Sequence, residues 1–257
     1  MTTRIDCVAT LEESSHRCAM QMTEIACACI TAAGRFAMAL CGGSTPRRLY
    51  QILAEESCRS RIDWERVFLF WGDERCVAPG HPQSNFRLVK ETLLDHIAIP
   101  AENVFPMPGK MRVEEAARQY EKTLRKFFGF AEMDSGLPCF DLILLGMGED
   151  GHSASLFPGS EVLSERRRWV VPVLPPSRVS PAVPRLTLTL PVIQRAAHRF
   201  FLVAGKAKEK TAAAVLHRKS QAVNYPAFLI DPLGECRWFL SEVDCSLFAH
   251  IQTKEMT

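Results

Sequence analysis

The sequence predicts an α/β fold built around a mostly parallel sheet. Two observations lead there. Short apolar runs of strand length alternate with longer amphipathic stretches, which is the pattern of successive βαβ units. Several of those runs end in a glycine-bearing polar loop that opens the next helical stretch, as parallel strands do at their carboxyl ends. The 257 residues, 47% apolar and 23% charged, can bury a full core. An α/β chain of this length reads as one domain over residues 1–257.

The elements follow in order. Thr10-Leu-Glu-Glu13 has the spacing of a capping box and starts a helix. That helix runs to about Ala33, where Gly34 is the stop. Arg35 to Cys41 is a short apolar run of strand length. Thr45-Pro46 reads as N-cap and first residue of a second helix, with Leu49, Tyr50 and Leu53 on one face. Val67 to Trp71 is a strand, Ser84 to Ile97 a helix, and Val113 to Phe128 another helix. Phe140 to Leu145 and Trp169 to Leu174 are strands, and Leu186 to Leu190 alternates like a half-buried one. Phe200 to Ala204 is a strand that leads into a helix through Leu216, and Cys236 to Leu240 is the last strand. The proline-rich stretch from Pro172 to Pro184 reads as an irregular surface connection.

Composition excludes several function classes. With 31 basic and 29 acidic residues the net charge is +2, and no dense basic stripe offers a nucleic-acid surface. No apolar run approaches the roughly 18–20 residues of a membrane span. The N-terminal stretch lacks the apolar segment of a signal peptide, so a cytoplasmic protein is expected. The ten cysteines include no CxxC pair, and Cys27 and Cys29 sit two apart on a helix, facing different ways. Cys7, Cys41 and Cys139 lie in or beside apolar runs. Free, buried thiols are expected rather than disulfides or zinc.

Four loops carry chemistry. Gly42-Gly43-Ser44-Thr45-Pro46 joins a strand to a helix. Glycine allows close backbone approach, and a helix start presents free N–H groups to an anion such as phosphate. The loop lacks the lysine spacing of a nucleotide-triphosphate P-loop. Gly72-Asp73-Glu74-Arg75 places three charges after a very apolar strand. Arg75 suits a phosphate or carbonyl oxygen, with Asp73 holding it or meeting sugar hydroxyls. His81 downstream reads as structural.

Gly146-Met-Gly-Glu-Asp-Gly-His152 also fits GxGxxG, but Pro158 and Gly159 stand where a dinucleotide-binding helix should continue. The better reading is a loop presenting His152 as a general base beside Asp150, its orienting carboxylate. No Gly-x-Ser-x-Gly elbow suggests a serine esterase. Gly205-Lys206-Ala207-Lys208 is again a strand end opening a helix, where a lysine can meet an anion.

Taken together, GGSTP, FWGDER followed by HPQSN, LLGMGEDGHSASLFP, and VPRLTLTLP followed by VAGKAKEK resemble the 6-phosphogluconolactonases. That family shares a superfamily with the glucosamine-6-phosphate deaminases. The resemblance runs in order from about Ala37 to Lys210. It implies a Rossmann-like fold, a mostly parallel twisted sheet flanked by helices on both faces, with no dinucleotide. It implies hydrolysis of a phosphorylated sugar lactone, 6-phospho-D-glucono-1,5-lactone, in the oxidative pentose phosphate pathway. It implies neither catalytic metal nor organic cofactor; a monomer or small homo-oligomer is expected.

The family's catalytic histidine falls on His152, with Asp150 to tune it, and its substrate-contacting arginine on Arg75. Gly42, Gly43, Ser44, Thr45 and Lys208 match phosphate-side positions. A further basic position is filled by Arg185 or, because Pro175-Pro-Ser-Arg178 is separated from the threonine-rich strand, by Arg178. The deaminases are the alternative within the superfamily. They carry an acidic residue five positions after the histidine, where this chain has Phe157. A non-catalytic sugar-phosphate sensor is the third reading, opposed by the presence of both His152 and Arg75.

Overall fold

The computed structural model describes residues 4–131, 135–177, 179–231, 235–249 and 251. The chain begins with β1 (Arg4–Val8), α1 (Leu11–Ala33) and β2 (Phe36–Leu40). The capping signals act as written: Thr10 accepts from the Glu13 backbone N–H at 3.2 Å, and Gly34 closes α1 at φ 73°. Next come α2 (Pro46–Ala54), the short α3 (Glu56–Arg59), β3 (Val67–Trp71), β4 (Asp73–Arg75), α4 (Asn85–Thr92) and α5 (Val113–Phe128). The second half holds β5 (Leu142–Leu145), β6 (Val170–Val173), β7 (Arg185–Leu188), α6 (Leu190–Arg195), β8 (His198–Ala204), α7 (Lys206–Leu216), α8 (Pro226–Leu229) and β9 (Glu235–Ser241).

Among the described residues, six strands form a parallel sheet in the order β1-β9-β8-β5-β2-β3. Every residue of β2 and of β5 is buried. Successive strand residues point to opposite faces, so both faces of the sheet are covered, as a parallel sheet requires. The core is rich in large rings, with Trp71, Trp169, Trp238, Phe70, Phe140 and Phe200 fully buried. A second sheet, β4-β7-β6, is antiparallel. It begins where β3 ends, after Gly72.

The sheet order positions the site. From β2 the chain steps outward to β3, then returns to lay β5 on the other side of β2 before continuing to β8 and β9. The order therefore reverses between β2 and β5, and the crevice beyond such a reversal is where open α/β sheets bind ligands. The four loops singled out above follow β2, β3, β5 and β8, which are four adjacent strands.

Several sequence expectations need correction. The GDER segment is a strand, not a loop: Asp73, Glu74 and Arg75 pair with Thr187, Leu186 and Arg185. Three charged residues hide that strand from a hydrophobic pattern. β1 was not anticipated, because Arg4-Ile-Asp-Cys-Val is too mixed to stand out until β9 pairs with it. The helix expected over Ser84–Ile97 ends at Thr92 and gives way to a 3-10 turn over Leu94–His96. Thr45 is already helical and makes no side-chain cap, although Pro46 does open α2. Pro172 lies within β6, so the irregular connection is shorter than expected.

The cysteines also depart from expectation. Cys7 on β1 is joined to Cys245 by a disulfide, and Cys139 is exposed. Folding brings the two sulfurs together from 238 residues apart, a proximity that spacing alone does not reveal. Cys18, Cys41, Cys58 and Cys236 are the expected buried thiols.

Candidate active site

A cavity of about 220 Å³ opens beyond the carboxyl ends of the parallel strands. Its walls include Gly42 to Thr45, Asp73 and Arg75, Gly148 and His152, Arg185, and Lys208. All four loops thus contribute. Of the described site residues named from sequence, only Asp150 is not on the wall. It stands behind His152.

The glycine loop after β2 is shaped by its neighbours. Gly43 has φ 98°, which only glycine adopts readily. Gly42 is packed against Asn85, whose Oδ1 would lie 1.7 Å from a Cβ built at that position. Behind the loop, the Tyr50 hydroxyl donates to the Cys41 carbonyl at 2.6 Å. Burial, with Asp73 adding to it, pushes the Cys41 thiol up to about 12, so this wall residue is no nucleophile at neutral pH.

The GDER strand divides its labour. Asp73 is buried and accepts from Ser155 Oγ at 2.6 Å and from Asn85 Nδ2 at 3.2 Å. Glu74 is not on the wall of this cavity. Its two oxygens accept from the backbone N–H groups of Arg75, Asn85 and Phe86 and from Ser84 Oγ, at 2.7–3.0 Å. It therefore ties β4 to the start of α4. Burial pushes its carboxyl above the usual range, although the backbone bonds pull the other way.

Arg75 donates through Nη1 to the Gln83 carbonyl at 2.7 Å. That bond, rather than the expected one to Asp73, holds it. His81 accepts locally from the Gln83 N–H through Nδ1, which fits its structural reading.

The loop after β5 presents the histidine. His152 Nδ1 and Asp150 Oδ1 stand 2.6 Å apart, and the His152 backbone N–H also donates to that oxygen at 3.2 Å. The carboxylate thus faces Nδ1, and Nε2 is on the other side of the ring. Gly148 makes the pair possible. A Cβ there would lie 2.1 Å from His152 Nδ1 and 2.9 Å from Asp150 Oδ1. The His152 ring also packs 4.9 Å from the ring of Phe157, which is fully buried.

Arg185 stands on β7 directly opposite Arg75, with its guanidinium 5.5 Å from the Phe157 ring. Burial lowers its pKa, and Arg75 lowers it further against the pull of Asp73. Arg178 lies outside the described residues, and Arg185 is on the wall together with Arg75. Of the alternating lysines, Lys206 is exposed and pairs with Glu209, Lys210 is exposed, and Lys208 lines the cavity. Burial lowers the Lys208 pKa, opposed by Cys41 and Glu149. Arg75 Nε, Arg185 Nε and Asn85 Oδ1 are buried without a hydrogen-bond partner among the described residues. These are two donors and one acceptor at one cavity, the inventory for a ligand carrying anionic oxygens and hydroxyls.

A protein-family model for glucosamine-6-phosphate isomerases/6-phosphogluconolactonase matches residues 9–238. The chain belongs to this family. Among relatives in this isomerase/lactonase family, the 6-phosphogluconolactonase of Synechocystis sp. is 40% identical over 211 residues, 81% of this chain and 83% of that protein. The solved 6-phosphogluconolactonase from Trypanosoma cruzi superposes with a TM-score of 0.83 at 30% identity, covering 96% of this chain and 97% of that one. A monomeric glucosamine-6-phosphate deaminase superposes with a TM-score of 0.77 at 18% identity, covering 93% and 97%. That last likeness bears on the fold alone.

Sequence reasoning missed Asn85 as part of the wall and Ser155 as a partner of Asp73. Asn85 closes the HPQSN segment that follows FWGDER. That text sets it close to the GDER segment in sequence, but its bond to Asp73 depends on side-chain direction, which only the tertiary structure gives. Among the described residues, no group of three or more His, Cys, Asp and Glu side chains is close enough to hold a metal ion, and no helix is long and apolar enough to cross a membrane.

Proposed function

We propose that the chain hydrolyses 6-phospho-D-glucono-1,5-lactone to 6-phospho-D-gluconate, a reaction of the oxidative pentose phosphate pathway. It is an ester hydrolase, and the reading takes residues 1–257 as one cytoplasmic domain acting on a small phosphorylated lactone. The observation that carries this reading is the Asp150–His152 pair at 2.6 Å with Phe157 packed against the same imidazole. A general base is present. The acidic residue that the deaminases use for sugar-ring opening is replaced by a buried aromatic ring.

In the mechanism, Gly42, Gly43, Ser44 and Thr45 hold the phosphate with Lys208 and Arg185, through backbone N–H groups, hydroxyls and cations. His152 Nε2 takes a proton from water as the water oxygen attacks the lactone carbonyl carbon. General-base help of this kind is worth roughly 10²- to 10⁴-fold. Asp150 keeps the other ring proton on Nδ1 and stabilises the imidazolium. The tetrahedral oxyanion then collapses, the bond from carbonyl carbon to ring oxygen breaks, and the departing ring oxygen takes the proton back from His152. Arg75 answers negative charge on the phosphate or on the oxyanion, and Asp73, fixed by Ser155 and Asn85, meets sugar hydroxyls.

The test is direct. Purified protein is given the lactone in a pH-stat and glucosamine 6-phosphate in an ammonia assay. Acid release above the spontaneous hydrolysis rate, with no ammonia, is the expected result. Ammonia release would assign the chain to the deaminase branch, and neither product would leave a sugar-phosphate sensor.

A further inference from the structure

The cation of α7 and the general base lie on separate elements, yet one side-chain hydrogen bond joins them. Thr211 is buried on α7, and its Oγ1 donates to the Glu149 carbonyl at 2.6 Å. Glu149 immediately precedes Asp150, the partner of His152. Thr211 also stands three residues after Lys208, so the two share a helix face. The Glu149 side chain is itself part of the electrostatic surroundings of Lys208.

Two other features make α7 a firm lever. Its start is tied down, with the Gly205 N–H donating to the Ser241 carbonyl at 3.1 Å and Glu209 accepting from the Asp244 N–H at 2.7 Å. The histidine loop turns mostly on itself, through Gly148 N–H to the His152 carbonyl at 2.9 Å and Gly151 N–H to the Gly148 carbonyl at 3.0 Å. Hydrogen bonds reach it from the α7–α8 side through Thr211 and through the Ala227 N–H, which donates to the Gly151 carbonyl at 3.1 Å. Of these, Thr211 is the one on the helix that carries Lys208.

We propose that Thr211 is a positioning residue that carries the binding of the substrate's phosphate at Lys208 into the placement of the Asp150–His152 pair. The proposal rests on the lactonase reading above. Its chemical content is that binding energy from a remote, unreacting phosphate is used to hold the base in its working geometry. A misplacement near 1 Å can cost about 100-fold in rate.

The experiment separates phosphate from lactone. Wild type, Thr211→Val and Thr211→Ser are assayed on 6-phospho-D-glucono-1,5-lactone, and then on unphosphorylated glucono-1,5-lactone with and without inorganic phosphite. The expected result has three parts. Wild type hydrolyses the unphosphorylated lactone faster when phosphite is present. Thr211→Val loses about tenfold or more in kcat on the phosphorylated lactone with KM little changed, and loses the phosphite activation. Thr211→Ser restores both. The proposal is overturned if phosphite fails to activate wild type, or if Thr211→Val keeps either its kcat or its full phosphite activation. If Thr211→Val does not fold, as judged by circular dichroism and Tm, Thr211→Ala takes its place with the same outcomes. Failure of the lactonase reading looks different, because wild type would then not turn over the phosphorylated lactone.

Discussion

Arg75 and Arg185 face each other as a directly paired couple across the antiparallel β4–β7 ladder. Like charges in that position repel, and each arginine leaves its Nε buried without a partner among the described residues. The arrangement costs stability until an anion meets it. Ligand binding should therefore stabilise the fold strongly: 6-phosphogluconate raises Tm in the wild type, and Arg75→Lys shows a much smaller rise and a large loss of kcat/KM. A lysine keeps the charge but not the planar fork. Unchanged ligand-induced shifts in thermal melts of Arg75→Lys would remove Arg75 from the site.

Gly148 gives a way to disturb the Asp150–His152 pair without substituting either member. It is not among the positive-φ glycines, so alanine suits the backbone, but its Cβ would meet His152 Nδ1 and Asp150 Oδ1. On the proposed mechanism Gly148→Ala and His152→Ala both remove the general base, and each is expected to lower kcat by about 10²- to 10⁴-fold. Binding of 6-phosphogluconate, measured by calorimetry, should stay close to wild type in both. A Gly148→Ala enzyme of normal kcat would place the base elsewhere.

Glu74 accepts four hydrogen bonds, which assign it to structure. Glu74→Gln is expected to destabilise the fold by about 1–3 kcal/mol, since an amide nitrogen would confront backbone donors. The pH–rate profile should keep its shape. Burial raises the Glu74 carboxyl, so the folded state holds this proton to higher pH than the unfolded chain does. Between the ordinary carboxylate range and that raised value, the folded state binds more protons, and this group's contribution to stability falls as pH rises. Glu74→Gln removes that component. Denaturant titrations across the window should show a shallower decline in the variant, and identical slopes would contradict the assignment.

Gly42→Ala tests the proposed phosphate role of the glycine loop more sharply than a change at Gly43. Space is open around a Cβ at Gly43, whose constraint is its φ of 98°, whereas a Cβ at Gly42 collides with Asn85. Displacing Asn85 also disturbs its bonds to the carboxylate and carbonyl of Asp73, at 3.2 and 2.9 Å. A rise in KM of at least tenfold is expected, with the protein still folded by circular dichroism. A normal KM would show that the loop and Asn85 do not shape the binding site.

Much was legible in the sequence because it is written locally. The capping box of α1, Gly34 as its stop, and the bounds of α5 depend on neighbours within a turn or two. The apolar runs of β2, β3 and β5 mark strands buried on both faces, and their glycine loops mark carboxyl ends. His152 and Asp150 lie two residues apart, so their pairing needed only a turn. The motifs and their order pointed to the isomerase/lactonase family.

Tertiary structure decided what distant residues do to one another. It laid β2, β3, β5 and β8 side by side so that four loops share one cavity. It made a strand of three charged residues by pairing them with β7, turned Glu74 into the tie for α4, and put Arg185 on the wall opposite Arg75. It joined Cys7 to Cys245 and hung the Glu149 carbonyl on Thr211. The physical reason is the same throughout. Helix caps and hydrophobic periods act over a few residues of chain, whereas the role of a carboxylate, a guanidinium or a thiol is set by which donors, charges and low-dielectric surroundings reach it across space.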